Sequence, residues 1–552
     1  MTWPICWVPP DVDEDVRHPL RGMSFILGFL LVMIMLAACV DRPGPAYDAT
    51  FRVLSGAENQ PLEPIIQSFA RDQKAKIEVS YAGSVDIMRE LANGTNSRYD
   101  AVWPASSIWI LLGDSTNAVQ FSSSIMRSPV VLGVKQSVAE RLGWAGADVT
   151  VADVLAAAEA DDFTFMMANA AQSDSGAAAY LGFLYAFAGQ PDVLTSADLR
   201  NPAVQEKVKR ILGTVSRSAG NSGSLKDLFL SEYDSYDGMI NYESTIIETN
   251  QALTAGGREP LYALYLRDGT SIADFPLGEI AKGDKKKDAL FQKLQAHLQS
   301  DDIQHQLLGL GRRTGIGVNP DPVNVDAAVF NPDWGIDTQR ILTPIRVPGA
   351  AVVQEALSLY QSALRKPSFT VFALDFSGSM NENGGADQLI AAMHLLLDRQ
   401  SASQYLLDTG PQDITVVIPF DDKILDTWTV TGNDPAQLRQ LDEQIRAVKG
   451  GGGTDIYSPV IRGLEIMKEH GIDGYFASVV LLTDGVSANG KTYGDLHSVI
   501  SRESVAAVPV FAITFGDASM DQLQPIADLT HGIVFDGRAN LAATFRTVRG
   551  FT

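Results

Sequence analysis

Asp375, Ser377 and Ser379 form a D-x-S-x-S motif in the stretch VFALDFSGSMNENGG (371–385), directly after a run of apolar residues. The motif predicts one carboxylate and two hydroxyls on the turn that leaves a buried strand. These are hard oxygen ligands, which a hard divalent cation such as Mg²⁺ prefers. Because the motif contains no Cys, His or Glu, it favours magnesium over zinc.

Two further loops carry matching chemistry. Thr454 follows a glycine run in GGGGTDIY (450–457), and Asp484 follows the apolar stretch SVVLLT (478–483). Each of the three loops follows a predicted strand or opens a predicted helix, so a doubly wound sheet can bring them together at one edge. Three hydroxyls and two carboxylates suit an octahedral Mg²⁺ that keeps some of its waters.

The elements that position these loops are predicted from apolar runs rich in Val and Ile. Such runs indicate strands buried on both faces, in a mostly parallel sheet with helices on each side. Together with FALDFSGSM, GGGTDIY and VVLLTDG, this pattern resembles the von Willebrand factor A (VWA) domain, a Rossmann-like α/β fold, over residues 366–552. A linker helix is predicted before it, at 346–365.

The resemblance implies a metal-ion-dependent adhesion site. It implies that Ser377, Ser379 and Thr454 bind Mg²⁺, Mn²⁺ or Ca²⁺ directly, and that Asp375 and Asp484 act directly or through water. The remaining coordination position would accept an acidic side chain of a partner protein. The alternative is a VWA fold whose site is empty or vestigial.

The region 48–345 alternates strand and helix patterns, which predicts a layered α/β domain. Ser55 and Ser84 fall where predicted strands end, and ligands bind at such ends in α/β sheets. The stretch 173–176 (SDSG) precedes an Ala-rich helix, whose free N–H groups and dipole predict an oxyanion site.

This ordering resembles the bacterial extracellular solute-binding proteins of the type II periplasmic fold, over about residues 50–318. The matching pieces are the opening Ser-Gly, the DAVWPASS strand end, the S-x-S-G helix start, the Tyr-Glu-Ser strand end and the DGTSIADFP segment. The resemblance implies two lobes with a ligand cleft between them, lined by Ser55, Ser84, Ser175 and Tyr242. The commoner alternative for each serine is a role in a helix cap or a turn.

The N-terminus has the pattern of an export signal. The apolar run FILGFLLVMIMLAA (25–38) follows Arg17 and Arg21, and Cys39 comes directly after it. The sequence Leu-Ala-Ala-Cys resembles the bacterial lipobox, which implies cleavage of residues 1–38, lipidation of Cys39 and a tether at 39–47. The alternative is an uncleaved membrane anchor, for which the run is short of the ~20 residues that a spanning helix needs. The start of translation, Met1 or Met23, stays open.

Composition narrows the function further. The chain has 552 residues and a net charge of 43 − 66 = −23, which argues against nucleic-acid binding. It has no nucleophile elbow and no clustered His, so we expect no enzyme. We therefore predict a cell-envelope lipoprotein on the outer face of the cytoplasmic membrane that binds a partner protein through a metal. The alternative is a receptor that delivers a small solute to a transporter.

Overall fold

The computed structural model describes residues 50–314, 325–382, 384–487, 490–502, 505, 508–514, 520–538 and 541–551. The predicted signal segment, the lipidation residue Cys39 and the predicted tether lie outside these residues. Within the described part of the chain, we find no helix with the length and apolar character that a membrane span requires.

The first domain is built on two sheets, whose strands are listed here in chain order: β1 (Thr50–Gly56), β2 (Lys76–Ala82), β3 (Ala101–Trp103), β4 (Val119–Ser124), β5 (Ser128–Lys135), β6 (Phe165–Met167), β7 (Val215–Arg217), β8 (Gly238–Tyr242), β9 (Leu261–Leu264), β10 (Ile272–Ala273) and β11 (Pro276–Ile280). The first sheet has the order β2-β1-β3-β11-β4. The second has the order β10-β5-β8-β6-β7, with β9 paired to β5. The chain crosses between the sheets after β4 and again before β11, so the domain has two lobes, as predicted.

Helices cover both sheets. Those of the first domain are α1 (Glu63–Asp72), α2 (Ser84–Leu91), α3 (Ser107–Gly113), α4 (Gln136–Arg141), α5 (Val151–Glu159), α6 (Asp174–Phe187), α7 (Ser196–Leu199), α8 (Pro202–Gly213), α9 (Ser222–Ser231), α10 (Glu243–Ala255), α11 (Lys285–Leu298) and α12 (Asp301–Gly309). After α12 the chain returns to the second lobe, where the buried Arg313 guanidinium forms two hydrogen bonds of 2.7 Å to the Glu243 carboxylate at the start of α10.

The second domain has one six-stranded sheet, formed by β12 (Ser368–Asp375), β13 (Ile414–Phe420), β14 (Trp428–Thr431), β15 (Phe476–Thr483), β16 (Val510–Thr514) and β17 (Val534–Asp536). Its order is β14-β13-β12-β15-β16-β17, and every neighbouring pair is parallel except β13 and β14. All residues of β12 and β13 are buried, as expected for central strands covered on both faces. The predicted α/β fold class is confirmed for both domains.

The remaining helices are α13 (Ala350–Leu359), α14 (Gly378–Glu382), α15 (Gly385–Leu397), α16 (Arg399–Gln404), α17 (Pro435–Arg446), α18 (Tyr457–His470), α19 (Tyr493–Arg502), α20 (Met520–Thr530) and α21 (Leu541–Arg549). Only one residue separates α15 from α16. Asp398 leaves the helical conformation between them, and its side chain accepts a hydrogen bond from Ser401 N, which caps α16.

The linker helix α13 packs on the first domain, where the Tyr180 hydroxyl donates to the carbonyl of Ala356 over 2.9 Å. A π-helical turn (Tyr360–Leu364) follows it. The next residue, Arg365, pairs with the buried Asp413 carboxylate, which also accepts a hydrogen bond of 2.8 Å from Ser368 N at the start of β12. The linker is thus fastened at both ends.

The second domain also contacts the first directly. The Arg89 guanidinium of the first lobe stacks on the Tyr405 ring, and Gln172 Nε2 of the second lobe lies 3.5 Å from the Tyr405 carbonyl oxygen. Tyr405 therefore contacts both lobes. At another point Gly220 and Gly550 approach so closely that a Cβ on Gly550 would collide with the Cα of Gly220.

Candidate functional site

Asp375 is the last residue of the central strand β12 and is fully buried. Its Oδ1 accepts a hydrogen bond of 2.8 Å from Ser377 N, and its Oδ2 accepts one of 2.6 Å from the Thr483 hydroxyl at the end of β15. Burial raises the pKa of Asp375 to about 6, against the lowering effect of these hydrogen bonds. Both carboxylate oxygens are therefore fixed in place by neighbouring strand ends.

Ser377, Ser379 and Asp484 form a continuous row beside Asp375. The hydroxyls of Ser377 and Ser379 lie 3.3 Å apart, and the Ser379 hydroxyl donates to Asp484 Oδ1 over 2.8 Å. Ser377 and Asp484 are buried, whereas Ser379 is exposed. The row is thus open to solvent on the side of Ser379.

Thr454 reaches the same end of the sheet from the glycine run. Thr454 Oγ1 packs against Gly485, which directly follows Asp484. A Cβ on Gly485 would lie only 2.8 Å from Thr454 Oγ1. The D-x-S-x-S turn is hydrogen-bonded to the glycine run, because Gly378 N donates to the Gly452 carbonyl over 3.0 Å. Gly450 is required in this packing, since a Cβ there would collide with the Phe376 carbonyl oxygen.

The structure therefore brings all five predicted ligands, Asp375, Ser377, Ser379, Thr454 and Asp484, to one end of the sheet. The donor set of three hydroxyls and two carboxylates is of the oxygen type that Mg²⁺ binds. It fits a divalent cation also because the carboxylates of Asp375 and Asp484 lie close enough for their charges to interact. Metal binding by these residues remains a prediction.

Sequence reasoning missed Thr483, which lies inside a strand and not on a loop. It positions Asp375 and also accepts a hydrogen bond of 3.1 Å from Gly485 N. Asp455, which follows Thr454, caps α18, because its carboxylate accepts hydrogen bonds from Tyr457 N and Ser458 N.

The second candidate site lies between the lobes of the first domain. Asp174, the first residue of α6, is buried, and its carboxylate accepts hydrogen bonds from Trp109 Nε1 over 2.6 Å and from the Tyr242 hydroxyl over 2.9 Å. Its backbone N donates to the Ser84 hydroxyl over 3.1 Å. Trp109 and Ser84 belong to the first lobe, so these bonds cross the cleft.

The other predicted cleft residues lie near this centre. Ser55, at the end of β1, accepts a hydrogen bond of 3.0 Å from Asn59 Nδ2. The Ser175 hydroxyl lies 3.1 Å from that of Ser173. Ser55, Ser84, Ser175 and Tyr242 are all buried, and whether they bind a solute remains a prediction.

The cleft differs from the expected oxyanion site. The helix start at 173–176 exists, but Asp174 places a carboxylate there, and burial raises its pKa to about 6. Glu58 lies close enough to Asp174 for the two charges to interact, and burial raises the pKa of Glu58 to about 7. An anion in this cleft would meet negative charge, so the geometry does not favour an oxyanion.

Comparison with known families agrees with these two domains. Residues 51–309 match the family described as bacterial extracellular solute-binding protein, and residues 370–545 match the von Willebrand factor type A domain. The chain therefore contains a bacterial extracellular solute-binding domain followed by a VWA domain. No curated protein matches the chain.

Several solved structures are similar to the first part of the chain. Iron-bound HitA from Pseudomonas aeruginosa is 13% identical, with 56% of this chain and 98% of that one covered and a TM-score of 0.41. A tagatose-bound ABC transporter solute-binding protein from Thermotoga lettingae is 13% identical, with 56% and 92% covered and a TM-score of 0.41. The sulfate-binding protein SubI from Mycobacterium tuberculosis is 16% identical, with 55% and 96% covered and a TM-score of 0.38.

Proposed function

We propose that this chain is a cell-envelope lipoprotein that binds a partner protein through a divalent cation held by its VWA domain. The observation that carries the proposal is the convergence of Asp375, Ser377, Ser379, Thr454 and Asp484 at one end of the sheet. The exposure of Ser379 supports it, because a bound ion must be reachable from outside if a partner is to contact it.

In this proposal each residue has a defined task. Ser377, Ser379 and Thr454 offer hydroxyl oxygens, while Asp375 and Asp484 supply the negative charge. Thr483 and Ser377 N hold the two oxygens of Asp375, so the carboxylate does not have to reorganise when a cation arrives. The cation, Mg²⁺ or alternatively Mn²⁺ or Ca²⁺, supplies a coordination position for an acidic side chain of the partner.

The proposed location follows from the sequence. An export signal and a lipidated Cys39 would anchor the protein to the outer face of the cytoplasmic membrane, in keeping with an extracellular solute-binding domain. Enzymatic activity is not part of the proposal, since neither matched family describes a catalyst.

A second candidate function is favoured by the first domain. Its two lobes, its crossed connections and its match to the extracellular solute-binding family support a receptor that binds a small solute and delivers it to a membrane transporter. The VWA domain would then be an accessory to that receptor. The two functions are compatible within one chain.

Calorimetric titration of the full chain with Mg²⁺ and with Mn²⁺ tests the metal site. We expect binding that Asp375→Ala abolishes and that Asp387→Ala, a change of an exposed carboxylate on α15, leaves intact. Absence of binding in the unaltered protein, or equal binding by the Asp375 variant, would refute the site.

Capture of partners on intact cells tests the metal-dependent interaction. The same bound protein should be retained in Mg²⁺, released by EDTA, and retained by the Asp387→Ala chain but not by the Asp375→Ala chain. Capture that is insensitive to EDTA and to Asp375 would count against a metal-mediated partner.

A further inference from the structure

Two carboxyl groups in the interlobe cleft, the buried Asp174 and the half-buried Glu58, have no role in the metal site. We propose that this cleft binds a solute that carries a protonated primary amine. The inference rests on the second candidate function, solute binding by the first domain, and it names the class of solute. It does not depend on the VWA metal site.

The first observation is an excess of negative charge. Glu58 Oε2 accepts a hydrogen bond of 3.4 Å from Ser222 of the opposite lobe, and Asp174 is held by neutral donors only. The nearest cation, Arg312, contacts the Glu58 backbone carbonyl over 3.2 Å and is paired with Glu248 over 2.6 Å. Arg312 is near enough for its charge to act on Glu58, but it is shared with Glu248, and no cation is among the hydrogen-bond partners that the structure describes for Asp174.

The second observation is a set of acceptor atoms without donors. Asn59 is only 1% exposed, and its Nδ2 donates to the cleft residue Ser55, yet its Oδ1 has no hydrogen-bond partner among the described residues. The same is true of the buried Glu58 Oε1. Buried acceptors of this kind are costly unless a donor reaches them. What the cleft lacks is therefore a group with several donors.

A neighbouring buried donor also has no hydrogen-bond partner among the described residues. Arg312 Nε is buried and has no partner within the described part of the chain. It can take an acceptor atom, such as a hydroxyl or carbonyl oxygen, of the same solute. The amine remains the main recognition element, because it can donate to the unpartnered acceptors and its positive charge complements the carboxylates.

Aromatic rings complete the environment. Trp109 is 0% exposed and Tyr242 1%, and both hold Asp174 through their polar atoms. The ring of Phe275 lies 5.6 Å from that of Tyr242. Carboxylates among aromatic side chains suit an ammonium group, because charge-assisted hydrogen bonds are the stronger ones.

The donor chemistry separates an amine from a metal ion. The indole of Trp109 is a donor only and cannot ligate a cation. A primary ammonium instead offers three donors, which match the available carboxylate, amide and hydroxyl oxygens.

The cleft must open for such a solute. Beside Asp174 and Trp109 the closed form leaves a cavity of about 30 Å³, room for a water molecule or two. The bonds from Trp109 to Asp174 and from Ser222 to Glu58 both cross between the lobes. A bound ammonium would replace these donors, so the carboxylates would exchange an internal partner for the solute.

Calorimetric titration of the full chain in EDTA tests the proposal, with 1,4-diaminobutane and methylamine as amine probes and sulfate and tagatose as comparison probes. We expect an amine to bind and sulfate not to bind. Asp174→Asn and Glu58→Gln, which preserve shape, should each weaken amine binding at least tenfold. Asp148→Asn, a change of an exposed carboxylate, is the matched control and should bind as the unaltered chain does.

Binding of sulfate or tagatose but of neither amine would overturn the proposal, as would amine binding that both cleft variants retain. Binding of no probe would overturn it too. A thermal melt of each variant separates lost binding from lost folding, and either variant with an unaltered melt decides the question. Because EDTA removes divalent ions, this result is independent of the Mg²⁺ titration, so each proposal can fail alone.

Discussion

Asp375 in the VWA domain and Asp174 in the solute-binding domain are both buried among serine hydroxyls at the ends of secondary-structure elements. The donors that hold Asp375 come from its own turn and from the adjacent strand of one sheet. The donors that hold Asp174 come partly from the opposite lobe. The hydrogen bonds of the first carboxylate therefore do not depend on the position of the lobes, whereas those of the second depend partly on lobe closure. Similar residue types thus build a preorganised site in one domain and a site that forms on closure in the other.

The largest effect we expect is from Arg313→Met in the solute-binding domain. It removes one partner of the fully buried pair with Glu243 and leaves an uncompensated charge, at a cost of about 3–5 kcal/mol. Chemical denaturation should show this loss in the first domain. Under conditions in which the variant is still folded, its Mg²⁺ affinity should not change. A changed affinity would mean that the Arg313–Glu243 pair and the metal site are energetically coupled.

Trp109→Phe tests whether donors from the opposite lobe stabilise closure. The change keeps an aromatic ring but removes the hydrogen bond of 2.6 Å to Asp174, which should cost about 1.5–3 kcal/mol. Small-angle scattering should also report a more open first domain. Trp144→Phe, a change of another largely buried indole outside the cleft, is the control. Equal stability and shape in both variants would contradict a closure held by Trp109.

Thr483→Val tests the preorganisation of the metal site. It preserves the shape of the side chain but removes the donor to Asp375 Oδ2, so Mg²⁺ affinity should fall about 10–100-fold. Titration calorimetry measures the change directly. Thr514→Val, at the end of the neighbouring strand β16, should leave the affinity as it was. An unchanged affinity in the Thr483 variant would mean that Asp375 is held by its own turn alone.

The smallest effect we expect is a pH dependence of stability that arises from Glu58 in the cleft. The pKa of Glu58 rises from 4.5 to about 7 in the fold, so the folded protein binds a proton more tightly than the unfolded chain does. Its contribution to stability is fully present below pH 4.5 and is lost as the pH rises through about 7. Glu58→Gln should flatten the stability profile in that window.

Asp413 in the VWA domain makes stability change with pH in the opposite direction. Its pKa is lowered by Arg365 against the effect of burial, so its contribution is present above its ordinary pKa and is lost in more acid solution. Denaturation curves of the unaltered chain and the Glu58 variant, measured from about pH 2 to 8, separate the two. An unaltered slope between pH 4.5 and 7 in the Glu58 variant would exclude the buried carboxyl as its source.

Much of the VWA fold and its candidate site could be predicted from the sequence. Buried parallel strands leave continuous apolar runs, and the ligands stand directly after them, so local patterns locate Asp375, Thr454 and Asp484. Thr483 was missed because a threonine inside a strand has no local signal of its task. The strand Trp428–Thr431 was missed because it is short and only partly buried.

The cleft was harder to predict because its chemistry arises from tertiary contacts. Glu58, Trp109 and Asp174 are far apart in the chain and meet only when the lobes close. Asp174 lies inside the recognised SDSG segment, where the serines and the helix start indicated an anion site. The usable signal was a carboxylate at the head of an apolar helix, DSGAAAYLGF, whose first turn is buried.

Tyr405 links the VWA domain to both lobes of the solute-binding domain. Its ring stacks on Arg89 of one lobe and its carbonyl faces Gln172 of the other, so separation of the lobes must strain at least one of these contacts. Any ligand of the VWA domain that shifts Tyr405 therefore biases lobe opening. Linkage makes such a bias reciprocal: the factor by which that ligand changes solute affinity is the factor by which the solute changes affinity for that ligand.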